Sequence, residues 1–420
     1  MGRATAANND RDTVKTGNYA EASGPLRDAV NPVDAPRRRE YLPPLAAIAA
    51  DRWRMLAARA IEPNGYYLPD WELAVNAFAR GRTGVFVLTV WGKHKPADQA
   101  TVQHPIGLLP VVSAWDAYRI PVPALVSADP YGTLGTPPID REMAAEAIAG
   151  LMQQARLAGA RALVLRNMSL DGPAMRTFAA VLRQQGIVPR VLQSYVRACL
   201  DATRDANELL RDALGAKKLK EQRRLSNRLA EHGNVTFNVA RTPADVAAEL
   251  EVFLALEASG WKARRGTALR QHEGDAAFIR RATTALAEND HCEIVTLRAG
   301  ETPVAAAIVL RHQDRAFYFK VGIDERFAKL SPGVQLTLDL TRHLCADPDI
   351  MVADSTASAD HPMIDPIWRN RLAVGDVLIP LRPRDPVVSI INAVLAARRF
   401  SMDALRRGLH AYRKLATKFR

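Results

Sequence analysis

Phe317 to Leu344, FYFKVGIDERFAKLSPGVQLTLDLTRHL, is the stretch in which an apolar strand gives way to an amphipathic helix. The strand runs out through Gly322 and Ile323, a charged loop follows, and Ser331-Pro332-Gly333 opens the helix. Serine is a good N-cap and proline suits the first helical position, while Gly333 lets an incoming group approach the backbone. A helix start of this kind offers unpaired N–H groups and the positive end of a dipole, which suits a pyrophosphate. Ser-Pro-Gly also caps many ordinary helices, so the local chemistry leaves both readings open. Lys320 lies in the apolar strand, where a charge is costly unless paired; facing inward, it needs a carboxylate such as Asp354 or an anionic ligand.

Outward from this stretch the periodicity predicts strands over 235–240, 292–298, 303–311 and 316–321, then 350–354 and 376–381. It predicts helices over 244–258, 275–288, 332–345 and 362–371. The preceding half repeats the order: helices near 45–61 and 70–80, strands at 85–91, 104–112 and 122–127, a helix over 140–157, a strand at 162–166, a helix over 172–185 and a strand at 187–200. The shared order suggests a duplicated fold unit, without an obvious residue-level repeat. Between the halves, Ala216 to Gly233 reads as a basic connecting helix that ends at a glycine. It is either a solvated connector or a basic wall facing an anionic substrate.

With 420 residues, 48% hydrophobic and 24% charged, the chain has material for two substantial cores. Its cysteines, Cys199, Cys292 and Cys345, form no metal-ligand or disulfide pattern, so no metal is expected. Residues 1–40 are polar and turn-rich, without the apolar run of a signal peptide, and read as a disordered leader. No stretch is apolar enough to span a bilayer, and a cytoplasmic location is expected. Of the net charge of +12, residues 382–420 carry +8. Residues 385–420 match a basic amphipathic helix on anionic membrane, which would place the protein peripherally at the inner membrane. They equally match a helix packed on its own domain. Nucleic acid is not expected, because aromatics are not interleaved with the basic residues.

The residues Leu256 to Ala268 (LEASGWKARRGTA), Lys320-Val321, Ser331-Pro332-Gly333, Asp354-Ser355 and Asp360 to Trp368 (DHPMIDPIW) resemble, in this order, a bacterial acetyltransferase-domain family of the GNAT superfamily. Its members are often labelled for cellulose biosynthesis and are related to the Fem-type peptidoglycan aminoacyltransferases. The resemblance spans about residues 45–381 and implies an α/β (α+β) fold of tandem GNAT-like domains. Each is a mixed, mostly antiparallel sheet flanked by helices, followed by the C-terminal amphipathic helix. The expected divisions are a degenerate domain at 41–204, connecting helices at 205–233 and an acyl-CoA-binding domain at 234–384. Lys329 and Ser-Pro-Gly replace the family's usual glutamine or arginine followed by Gly-x-Gly/Ala, and Asp-His-Pro stands where many relatives have a glycine and a Tyr-Lys pair.

The resemblance implies a co-substrate, acetyl-CoA or a longer acyl-CoA, held by Lys320, Val321, Lys329, Ser331, Pro332, Gly333, Val334 and Gln335. Asp354, Asp360 and His361 are the candidate catalytic groups, because an amine acceptor must lose a proton. Asp360 also reads as a simple helix cap, with His361 a surface loop residue. Glu257, Trp261, Lys262, Arg265 and Trp368 are candidates for binding the acceptor, an amine on a sugar, lipid or amino compound. Trp261 is equally readable as a core plug. The alternatives are a long-chain acyltransferase acting on a membrane lipid amine, and a non-catalytic envelope- or polysaccharide-associated binding protein that retains the fold.

Overall fold

A computed structural model describes residues 42–94, 102–260 and 264–418. The leader expected at 1–40, together with Trp261 and Lys262, lies outside the described residues. The first half comprises α1 (Ala50–Ala58), α2 (Pro69–Phe78), β1 (Phe86–His94), β2 (Val102–Ser113), the short α3 (Ala114–Tyr118), β3 (Ala124–Ser127), α4 (Ala144–Leu157), β4 (Ala162–Ser169), α5 (Pro173–Gln184) and β5 (Arg190–Asp201). After the connecting helix α6 (Ala206–Ala230) come β6 (Val235–Ala240), α7 (Pro243–Ser259), α8 (Glu273–Ala287), β7 (Cys292–Ala299), β8 (Thr302–His312) and β9 (Arg315–Ile323). The chain continues through α9 (Pro332–Ala346), β10 (Val352–Asp354), β11 (Asn370–Pro380) and α10 (Pro386–Lys418).

These strands form one sheet in the order β1-β2-β3-β4-β11-β5-β10-β9-β8-β7-β6. Among the described strands, only β3 with β4 and β9 with β10 run parallel. Each parallel pair is completed by the last strand of the other half: β11 lies antiparallel to β4, and β5 lies antiparallel to β10. β5 and β11 also pair with each other, so the halves expected at 41–204 and 234–384 meet through exchanged strands.

The unbroken apolar run of β8 follows from burial on both faces. Ala306, Ile308 and Leu310 join the core under α7 and α8, whereas Val304, Ala307 and Val309 join the core under α9 and α6. The start of α10 is packed on the first half and on β11: Val388, Ile391 and Leu395 are buried with Ile120, Val126, Val164 and Leu378. Among the described residues, no helix is long and apolar enough to cross a membrane.

Two expected elements differ. The helix predicted over 362–371 is a run of turns through residue 367, and β11 starts at Asn370. Pro366 supplies no N–H and disfavours the helical conformation at Asp365, so the helix cannot propagate. The connecting helix begins at Ala206, inside the division expected at 205–233 but ahead of the helix read over 216–233, and is bent at Gly215, where φ is 71° and ψ is 165°.

His312, at the end of β8, joins the halves. Its Nδ1 accepts from the Asn64 N–H at 2.9 Å, and its Nε2 faces the Ala57 carbonyl at 3.0 Å. Burial pushes this imidazole from 6.5 down to about 4, because the charged ring would be cut off from water. As pH falls below 6.5 the unfolded chain takes up this proton and the native chain does not, so the stability held above 6.5 is lost progressively toward pH 4. The expected loss over that window is about 3 kcal/mol. Urea midpoints measured across the window should show that slope, and His312→Gln should flatten it; an unchanged slope would refute the assignment.

Candidate active site

The parallel pairing of β9 and β10 ends at Phe317 opposite Asp354. Beyond that point Ser355 turns toward β5, its N–H donating to the Ala198 carbonyl at 3.2 Å. β9 meanwhile carries a bulge against β8: Ile308 pairs with Lys320 and Val309 with Tyr318, which leaves Phe319 as the extra residue. A bulge bends its strand and re-aims its side chains. The strands therefore diverge and leave a cleft of ≈ 450 Å³.

Three walls enclose it. Tyr318 to Val321 form the strand wall, Ser331 to Val334 the helix-start wall, and Ser355 to Ala357 with His361, Met363 and Ile364 the third. Most of these side chains are apolar. Ser331 adopts the left-handed conformation, φ 52°, as the 3-10 turn Glu325–Leu330 passes into α9. A Cβ added to Gly333 would lie 3.2 Å from Ile323 Cγ2 and 3.3 Å from Met363 Sδ, so the glycine keeps the mouth between these side chains open. The Val334 and Gln335 N–H groups both turn back to the Ser331 carbonyl, and Pro332 has none. Among the described residues the Gly333 N–H is thus the donor that the first turn of α9 leaves without a backbone acceptor.

The expected site residues separate by placement. Lys320, Val321, Ser331, Pro332, Gly333, Val334 and His361 all line the cleft. Lys329, Asp360 and Arg265 are exposed and do not line it. The Gln335 side chain is buried away from it and donates to the Leu330 carbonyl at 2.7 Å, which ties the turn before Ser331 to the helix. Trp368 is also off the surface: fully buried, it donates from Nε1 to Thr341 Oγ1 at 2.9 Å and packs beside Tyr318. It anchors α9 to the core, and its place as an acceptor wall is corrected accordingly. His361 Nδ1 is buried without a hydrogen-bond partner among the described residues.

Asp354 is likewise withdrawn from chemistry. One carboxylate oxygen takes Nη2 of the fully buried Arg197 at 2.5 Å, and the other accepts from the Thr356 N–H at 2.9 Å. Burial alone would pull the Arg197 guanidinium down, but its pairing with Asp354 holds it above the ordinary value. The carboxylate partner of Lys320 is Glu257, at 3.2 Å, whose second oxygen accepts from the Leu269 N–H at 2.8 Å. That pair makes Glu257 part of the cleft's frame and satisfies the requirement the strand imposes on Lys320.

A part of the site that the sequence reading missed comes from the first half. β3 and β4 stop pairing at Val126 opposite Val164, so in register Ser127 and Arg166 correspond to Tyr318 and Thr356. The correspondence extends to a bond: Thr356 Oγ1 donates to the Tyr318 carbonyl at 2.7 Å, and Arg166 Nε donates to the Ser127 carbonyl at 3.0 Å. Here, however, the opening is filled by backbone. The Gly135 N–H donates to the Asn167 carbonyl at 2.9 Å, and a Cβ on Gly135 would lie 2.1 Å from the Arg166 carbonyl oxygen. The same segment reaches the second cleft. Thr133 Oγ1 donates to the Thr356 carbonyl at 3.1 Å, and the Thr133 carbonyl accepts from Arg197 at 2.8 Å. Tyr131 places its ring 5.9 Å from Lys320 Nζ, and its hydroxyl donates to Asp275 at 3.1 Å. Burial pushes the Tyr131 phenol up, and the Asp275 carboxylate adds to the shift. In the sequence, Asp129-Pro130-Tyr131-Gly132 looks like a surface turn, and nothing local reveals what it touches.

Among the described residues no group of three or more metal-ligating side chains is assembled. Residues 216–361 match the model of the acetyltransferase (GNAT) domain family. No curated protein matches the chain. Among solved structures, FemX is similar at a TM-score of 0.53, with 9% identity over 82% of this chain and 98% of that one. The C-terminal domain (DUF2156) of a putative lysylphosphatidylglycerol synthetase from Agrobacterium fabrum gives a TM-score of 0.49, with 13% identity over 85% and 96% of the two chains. A tandem GNAT protein from the clavulanic acid biosynthesis pathway gives 0.37, with 14% identity over 82% and 99%. The chain therefore has a GNAT-like fold, a mixed α/β architecture around a mostly antiparallel sheet, and its match to the GNAT acetyltransferase domain falls on the half that holds the open cleft.

Proposed function

We propose that the protein is an acyl-CoA-dependent acyltransferase that moves an acyl group to an amine by direct attack within a ternary complex. The observation that carries this reading is the cleft opened where β9 leaves β10, with the glycine of a helix start at its mouth. Acyl-CoA, when bound, supplies an activated thioester carbonyl; as the C–N bond to the acceptor forms the C–S bond breaks, and coenzyme A leaves as the thiol.

The chain's own residues account for the remainder. The positive end of α9 and the Gly333 N–H meet the diphosphate, a narrower grip than the whole turn from Ser331 to Gln335 would give. The apolar walls at Phe319, Val321, Ile323 and Met363 shelter the pantetheine and the acyl chain from water. Past Phe317 the β9 edge that faced β10 has no strand partner among the described residues, so main-chain N–H groups there stabilise the negative charge developing on the carbonyl oxygen. His361 takes the proton from the acceptor amine, which in water is held up to a pKa of about 10.4. Lys320, held by Glu257, and Tyr131, held by Asp275, form the polar floor past which the acceptor enters. The acceptor class is an amine on a sugar, lipid or amino compound.

Calorimetry with acetyl-CoA and longer acyl-CoAs tests the donor. Gly333→Glu fills the mouth and sets a carboxylate against the diphosphate, and should weaken binding about 100-fold or more with the fold intact. Absence of binding by the parent chain would instead favour a non-catalytic envelope- or polysaccharide-associated protein that retains the fold.

A further inference from the structure

We infer a second ligand site, in the pocket between α6 and α9, that takes a small hydroxylated phosphate monoester. The pocket exists because Gly215 bends α6 into two arms. Nothing lies within 4 Å of a Cβ at Gly215, so the glycine serves the backbone turn at φ 71° and not a lack of room. Arg211 from the first arm, Arg223 from the second and Arg342 from α9 line one space of ≈ 300 Å³. Asp339 is the single carboxylate among the lining residues and is bonded to Arg342 at 2.7 Å. Neither Arg211 nor Arg223 has a carboxylate partner among the described residues. Three guanidinium groups and one carboxylate leave a net charge of two, which a dianionic phosphate neutralises through charge-assisted hydrogen bonds.

A further observation specifies more than charge. Gln222 lines the same pocket, and its Oε1 is closed off with no hydrogen-bond partner among the described residues, so a turn of this flexible side chain into the pocket would satisfy the acceptor against a ligand hydroxyl. The α9 positions 335, 338, 339 and 342 recur on one flank of the helix, whereas 331–334 turn to the cleft, so the two spaces are separate. They meet at Gln335, which borders this pocket and holds the Leu330 carbonyl just before Ser331.

The full chain is titrated by calorimetry with glucose 6-phosphate, inorganic phosphate and glucose. Both phosphates should bind, with glucose 6-phosphate the tighter, and glucose should not. Arg223→Ala and Arg211→Ala, both at exposed positions, should each weaken glucose 6-phosphate by roughly tenfold or more. Gly333→Glu should leave it unchanged, which separates this site from the proposed donor cleft. Silence of both phosphates up to about 10 mM overturns the inference, as does binding indifferent to the arginine variants or lost in Gly333→Glu. Coenzyme A and dephospho-coenzyme A identify the source of the phosphate. A preference for the former that disappears in Arg223→Ala assigns the phosphate to the acyl donor; equal binding, with glucose 6-phosphate bound, assigns it to a free metabolite.

Discussion

Arg197→Ala is expected to cost about 3–5 kcal/mol of folding stability, because it strips the counter-charge from a carboxylate with no access to water. Arg197 and Asp354 are both fully buried, in adjacent strands contributed by different halves. Losing the guanidinium strands the Asp354 carboxylate and the Thr133 carbonyl together. Because Asp354 also holds the Thr356 N–H, the wall of the cleft should loosen before the whole chain unfolds. Urea denaturation of the variant should show the loss. A double replacement, Arg197→Met with Asp354→Leu, should recover most of it, since a buried ion pair contributes little net stability over an apolar pair of similar volume. A loss below about 1 kcal/mol in Arg197→Ala would mean that water or another cation reaches Asp354.

For the proposed transfer, His361→Gln should lower kcat by about 10²- to 10⁴-fold while leaving acyl-CoA affinity within roughly threefold of the parent, because removal of a general base acts on the proton and not on the donor. His361 is the imidazole on the cleft wall, and its Nδ1 is closed off without a partner among the described residues, so a turn of the ring into the cleft brings an unclaimed nitrogen to the incoming amine. Asp360, immediately before it, is exposed at φ 55° and off the cleft lining, so Asp360→Asn should have a far smaller effect. Equal losses from the two variants would show that the loop's conformation, rather than the imidazole, is what matters.

Much of the fold was legible because it rests on local periodicity. The strand-loop-helix passage around Ser331 and the apolar run of β8 declare their structure within a dozen residues. The helix expected over 362–371 failed at Pro366, a breaker that the apolar spacing of Met363, Ile364 and Ile367 concealed. The site was only half legible. Lys320, Gly333 and His361 could be singled out by residue type and position, but partners are set by tertiary geometry. The sequence offers no means of choosing Glu257 over Asp354 for Lys320, or of seeing that Arg197, more than 150 positions from Asp354, claims it. Tyr131 and Thr133 were invisible for the same reason: they belong to a loop of the first half whose contacts lie in the second.

The exchange of final strands has a bearing on how the chain is made. During synthesis β4 emerges with β3 on one side and, on the other, an edge whose partner is residues 370–380. Until the ribosome delivers that segment, the first half presents unpaired main-chain groups that can recruit any passing strand. A nascent chain halted in α6 should therefore depend on chaperones and be readily proteolysed, and its resistance should rise abruptly only once residue 380 has cleared the exit tunnel.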